Sequence, residues 1–186
     1  MSPNNISHKV KNVVSNKNIR NSYSHTSVLL KETIEALNVK AGEKYIDATI
    51  GGGGHAAEII KRGGIVLGID QDADAIDFLK EKFLGEQKVV LAQGNFSDIK
   101  ELAEKYGFGK VKGIIFDLGL SSYQIEQSGR GFSFSRDEKL DMRMDKNTAL
   151  SALEVVNKWR RDELYTLFTK YGEIRPARAI YDNIER

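Results

Sequence analysis

The chain has 186 residues, 40% of them hydrophobic and 29% charged, with a formal net charge of +2. That length fits one domain with an insertion or a tail, and no apolar run is long enough to cross a bilayer. Cysteine is absent, which excludes disulfides and thiolate metal sites; the composition suits a soluble protein of a reducing cytoplasm. So mild a positive charge neither requires nor forbids a nucleic-acid partner.

Residues 1–24 are rich in Asn and Ser, carry Lys9, Lys11, Lys17 and Arg20, and contain no carboxylate, the composition of a disordered basic tail. Order is expected from about His25. Thr26 or Ser27 is placed to cap a helix with Leu29, Leu30, Ile34 and Leu37 at helical spacing. A strand follows over 44–49. A glycine run then leads into a helix through Ala56, Ile59 and Ile60 that stops at Gly63-Gly64. Residues 65–69 form a second strand ending on Asp70, and 72–83 an amphipathic helix with Ala75, Ile76, Leu79 and Phe83 on one face. A third strand covers 88–92, a helix capped by Ser97 runs over 97–106, and a fourth strand covers 111–116 and ends on Asp117.

Strands alternating with helices predict an α/β protein with a parallel, doubly wound sheet and right-handed crossovers. Ligands of such sheets bind outside the carboxyl ends of the strands. Asp47, Asp70 and Asp117 stand at those ends. From Leu118 to Asn147 the chain reads as loop. Two helices follow, one with Leu150, Leu153, Val156 and Trp159, the next with Leu164, Leu167, Phe168 and Tyr171, and a last helical stretch runs from Glu173.

The run Gly51-Gly-Gly-Gly54, between a strand and a helix, lets a ligand approach the main chain and offers it the amide end of the helix. A Walker loop is excluded, since His55-Ala56 stands where Lys-Ser/Thr is needed. The dinucleotide pattern is satisfied by Gly51, Gly53 and Ala56, with Asp70 at a suitable distance, so a nicotinamide-dependent oxidoreductase is a rival reading. Asp47 tilts the choice, because an acid there receives the ammonium of a methionyl group and repels a pyrophosphate. Asp70 is placed for ribose hydroxyls and Phe96 for stacking on adenine. Asp117 suits transfer to an exocyclic amine. The lone pair of such an amine is delocalised into its ring, and a carboxylate accepting its hydrogen bonds favours the tetrahedral nitrogen needed for attack on a methyl sulfonium. His8, His25 and His55 have no metal-ligand spacing, and no metal is expected.

Six segments carry a resemblance: 25–30 (HTSVLL), 47–55 (DATIGGGGH), 117–122 (DLGLSS), 130–134 (RGFSF), 140–145 (LDMRMD) and 171–173 (YGE). Together, in order from His25 to about Arg178, they resemble the bacterial 16S ribosomal RNA cytosine-N4 methyltransferases of the RsmH or MraW type. The resemblance implies a Rossmann-like class I methyltransferase sheet with a helical inserted substrate domain, and transfer from S-adenosyl-L-methionine to the N4 amine of a cytidine in the decoding region of the small ribosomal subunit. It divides the chain into the tail, a cofactor domain over 25–122 and a substrate region over 123–186. By motif, Gly53, Gly54 and His55 contact the methionyl part, Asp70 the ribose and Phe96 the adenine, while Asp117 and Gln124 complete the pocket. Ser27, Tyr123, Glu126 and Pro176 depart from the usual Pro, Pro, Asp and aromatic residue. Tyr123 adjoins Gln124 and bears on its loop.

Arg130, Phe132, Phe134, Arg136 and Arg143 set cations beside aromatics, a combination suited to RNA, and the target cytosine is expected to be splayed from its stack to reach Asp117. Family members continue past this length and return to the sheet. Four strands ordered 3-2-1-4 leave strand four as an open edge, so the chain is expected to be a fragment, poorly stable or inactive alone. A truncated chain that binds cofactor or RNA without turnover is therefore the non-enzymatic alternative.

Overall fold

A computed structural model describes residues 27–174 together with Ile180 and Ile184. The basic tail, the proposed cap at Thr26 and most of the final helical stretch lie outside these residues. Contacts divide the chain into two compact units, Met1–Gln127 and Ser128–Arg186, and each is described by itself.

In the first unit four parallel strands form one sheet: β1 (Lys44–Asp47), β2 (Ile65–Asp70), β3 (Val89–Gln93) and β4 (Gly113–Ile115), in the order β3-β2-β1-β4. This is the order read from the sequence. The crossovers are α2 (Gly54–Lys61), α3 (Ala73–Lys82) and α4 (Ile99–Lys105), and α1 (Leu30–Leu37) precedes the sheet. Tyr45 and Val66 of adjacent strands pack with Ile34, Ile59, Ile76 and Leu79, so α1, α2 and α3 bury one face. Ile46 and Leu67, the next residues along, pack with Ala103 and Phe108 on the opposite face, on the side of α4. Side chains of a strand alternate between faces, so burial on both accounts for the unbroken apolar runs.

Three local details differ from the sequence reading. Helix α1 begins after Leu29, which adopts a left-handed φ of 49° and supplies no side-chain cap. The turn after β3 is capped by Asn95, whose Oδ1 accepts the Ser97 amide at 2.9 Å; a 3-10 turn over Phe96–Asp98 then precedes α4. The segment read as loop holds a short helix, α5 (Ser122–Glu126), closed by a reciprocal box between Ser121 and Gln124.

Beyond Asp47 the chain keeps bonding to both neighbours of β1. Ala48 N–H donates to Ile115 O and Ile50 N–H to Ile69 O, each at 2.9 Å. Gly68 of β2 makes this possible, since a Cβ there would collide with the Ile50 side chain. At the other side of the sheet, β4 pairs only with β1 among the described residues, and Ile114, Phe116 and Leu118 are exposed.

In the second unit a long loop leads to α6 (Ala152–Lys158) and α7 (Arg161–Lys170). Ser151 caps α6 in a box with Glu154, and Leu164 of α7 is buried. No helix among the described residues is long and apolar enough to cross a membrane.

Candidate cofactor site

Asp47, the last residue of β1, is only 1% exposed, and its Oδ1 accepts the Thr49 amide at 3.4 Å. Burial drives its pKa up to about 7, and the nearby Asp70 and Asp117 charges push the same way. Asp70 closes β2. Its two carboxylate oxygens accept the amides of Gly51 and Asp72, each at 2.9 Å, and burial raises its pKa as well. Asp70, read from the sequence as placed for ribose hydroxyls, thus clamps the first glycine of the loop. The Gln71 amide is a third backbone donor to this carboxylate.

The glycine loop is held in one shape. Gly53 N–H donates to Ile50 O at 2.7 Å, and Lys82 Nζ donates to Gly52 O at 2.6 Å. Gly53 stands at the cap of α2 with φ 71°, and a Cβ there would lie 2.6 Å from Leu79 Cδ2 and 3.0 Å from Phe83 Cε2. Its lack of a side chain therefore serves the packing of α3 as well as any ligand. A glycine cap leaves the first amides of α2 without a side-chain partner.

Asp117 lies two residues beyond the end of β4, where the sequence reading had the strand run up to it. Its own amide donates to Thr49 Oγ1 at 2.7 Å, which ties it to the exit of β1, and its side chain is 40% exposed. His55 on α2 is buried, with Nδ1 3.9 Å from Asp117 Oδ2. His55 Nε2 is buried with no hydrogen-bond partner among the described residues. Asp47, Asp70, Asp117 and His55 are thus brought together at the carboxyl ends of the strands. No Lys or Arg forms an ion pair with the three acids among the described residues, and they do not form a metal-holding group.

Phe96 is 39% exposed and packs edge-on against Phe116, with centroids 5.8 Å apart. Gln124 faces inward instead. It is 6% exposed, its Oε1 accepts the Ser121 amide at 3.0 Å, and its Nε2 donates to Asp72 Oδ2 at 2.9 Å. A cavity of about 520 Å³ lies between α1 and β4, lined by Leu29, Leu37, Ile114 and Phe116 among others. His55 and Asp117 line it too, and so belong both to the acid cluster and to the cavity. Thr49, Asp72 and Lys82 were not singled out from the sequence. Asp72 alone had a local signal, an acid directly before an amphipathic helix.

A sequence profile of the MraW methylase family matches residues 22–186. The chain belongs to that family. A ribosomal RNA small subunit methyltransferase H of Clostridium botulinum (strain Loch Maree / Type A3) is 45% identical over 161 residues, which cover 85% of this chain and 52% of that protein. Proteins of the same name from strain Kyoto / Type A2 and strain 657 / Type Ba4 are 45% and 44% identical over the same shares. The chain spans about half the length of the curated relatives it matches.

The family match extends over the second unit, where two of the three arginines singled out are engaged internally. Arg130 is buried; its guanidinium donates to Arg143 O at 3.0 Å and Met144 O at 2.9 Å and lies over the Phe132 ring. Arg143 grips Asp141 through two nitrogens, at 2.8 and 2.7 Å, and donates to Thr148 O, which holds the Asp141 carboxyl down at about 2. Arg136 and Phe134 are exposed. Arg130→Met keeps the bulk but strands two carbonyls, and is expected to destabilise this unit by about 2 kcal/mol. Proteolysis within 128–151 should accelerate in the variant; unchanged susceptibility would refute the staple.

Proposed function

We propose that this protein contributes to methyl transfer from S-adenosyl-L-methionine to the exocyclic N4 amine of a cytidine in the decoding region of small-subunit ribosomal RNA, in the cytoplasm. The observation that carries the reading is the convergence of Asp47, Asp70 and Asp117, without a Lys or Arg ion pair, beside a rigid glycine loop. Concentrated negative charge favours a ligand bearing an ammonium and a sulfonium and disfavours a pyrophosphate, which sets the oxidoreductase alternative back. His55 Nε2, buried without a partner, is the kind of orphan that a bound ligand satisfies. The relatives' printed name, ribosomal RNA small subunit methyltransferase H, supports the class of substrate.

The residues present fit this cofactor. Asp47 would take the ammonium, the amides around Gly53 and Gly54 with His55 the methionyl part, Asp70 the ribose, and Phe96 one side of the adenine. When bound, the cofactor supplies an electrophilic methyl group. Asp117, exposed and held by Thr49, accepts hydrogen bonds from the incoming amine and so orients its lone pair; the neighbouring imidazole gives its carboxylate a polar wall. In this reading residues 25–122 are the cofactor domain, and 123–186 begin a helical substrate domain.

The test uses unmodified small subunits and methyl-labelled cofactor. Label is expected on a cytosine amine, and Asp117→Ala is expected to reduce it at least about 100-fold, a loss of transfer larger than the loss of cofactor affinity that calorimetry reads. Label on any other atom, or a chain that binds a nicotinamide dinucleotide and no S-adenosylmethionine, would overturn the proposal.

A further inference from the structure

Among the cations and rings that the sequence sets together in the second unit, most serve that unit itself. Arg130 holds the Arg143 and Met144 carbonyls and lies over the Phe132 ring, and Arg143 grips Asp141. Phe134, by contrast, is fully exposed. Its ring is as wet as in an unfolded chain, so it adds no burial to the fold. Yet the loop that carries it is fastened. At the base the Gly131 amide donates to Glu138 Oε2 at 2.9 Å and the Met142 amide to Arg130 O at 2.7 Å. Gly131 has φ 74° and passes so close to Lys139 that a Cβ would collide with the Lys139 carbonyl. At the tip the Ser135 amide donates to Ser133 Oγ at 3.2 Å, and residues 134–137 form an exposed run between half-buried neighbours.

We propose that Phe134 is a stacking platform for an unpaired base of the RNA substrate, displayed at the tip of this braced loop. Every base has a flat π-face, so an aromatic ring can stack on it with little regard to sequence. Bracing matters, because a ring already held out loses less freedom on stacking than one on a loose loop. The neighbours favour RNA over a protein partner. An aromatic that anchors a protein belongs to an apolar patch rimmed by polar residues, whereas Phe134 is flanked along the chain by Ser133, Ser135, Arg136 and Asp137. Hydroxyls and a guanidinium suit the sugar and phosphate on either side of a stacked base. The inference deepens the RNA reading of the previous subsection and rests on it for the class of partner.

The test titrates an unstructured single-stranded RNA oligonucleotide with the whole chain. Phe134→Leu keeps an apolar side chain without a π-face and is expected to weaken binding about tenfold. Phe134→Tyr keeps the ring and should stay within about threefold of the parent. The charges of Arg136 and Asp137 cancel at the tip, so the loss in Phe134→Leu should be equal at low and high salt, whereas the loss of a phosphate contact shrinks as salt rises. Phe134→Trp should add indole emission that RNA quenches on stacking, read against the parent's Trp159. Thermal denaturation should be unchanged in all three variants, since the ring is fully exposed. A parent that binds no RNA overturns the inference together with the RNA reading. A parent that binds RNA while Phe134→Leu binds it equally well overturns the inference alone and leaves the ring to a protein partner. Binding by Phe134→Tyr as weak as by Phe134→Leu overturns it too.

Discussion

Asp47→Asn is expected to stabilise the ligand-free protein at pH 8 and to change it little near pH 4. The carboxyl of Asp47 is buried, and its pKa stands at about 7 against an ordinary 3.8. A folded-state pKa raised above the unfolded value means that the folded chain holds the proton more tightly. The contribution to stability is full below pH 4 and is lost as pH rises through 7. At about 1.4 kcal/mol per unit, the ionised form costs the folded state on the order of 4 kcal/mol. Denaturant titrations between pH 4 and 8 should show the parent losing stability over this window and the Asn variant losing far less. Parallel curves would refute the assignment.

The same burial makes the site respond to its ligand. A cation seated beside Asp47 favours the ionised form, so binding near pH 7 should release about half a proton from this group. Calorimetry in buffers of different ionisation enthalpy reads that release directly. Asp47→Asn should abolish it and weaken binding, giving a protein more stable empty and poorer at its task.

Gly53→Ala is expected to cost the first unit about 2–4 kcal/mol, by two separable causes. A left-handed φ is unfavourable for alanine by about 1 kcal/mol, and a methyl 2.6 Å from Leu79 Cδ2 and 3.0 Å from Phe83 Cε2 overpacks a buried contact. Gly85 supplies the control. It has φ 83° and nothing within 4 Å of its would-be Cβ, so Gly85→Ala should show the backbone part alone. Thermal denaturation should rank the two variants in that order. Equal losses would remove the packing argument and leave conformation as the whole account.

The sheet was readable from the sequence because each strand is an unbroken apolar run with a turn signal after it, and each crossover repeats its apolar residues at helical spacing. Both patterns are local. The carboxylates at the strand ends followed from the same register, so Asp47, Asp70 and Asp117 were legible as a group. What the sequence hid was contact between distant segments. Asp72 and Gln124 are 52 residues apart, and no periodicity links a strand-end turn to a five-residue helix. That helix did leave a trace, since Ser121 and Gln124 have the spacing of a capping box. Nor was there any sign in the sequence that Arg130 and Arg143, set there beside aromatics, bond to backbone carbonyls and to the Asp141 carboxylate within their own unit.

The ladder that continues past Asp47 to Ile50 has a consequence for association. Through the Ile50–Ile69 bond, the Asp70 clamp on Gly51 and the Lys82 grip on Gly52, the glycine loop is fastened to the protein's own groups at three points. Ordering a loose loop takes free energy away from binding, whereas a preorganised one leaves it in the contacts. Four glycines in a row would otherwise be among the most entropically expensive segments to fix. The hydrogen bonds to Ile69, Asp70 and Lys82 set that cost against folding, so less of it is left to be met on binding.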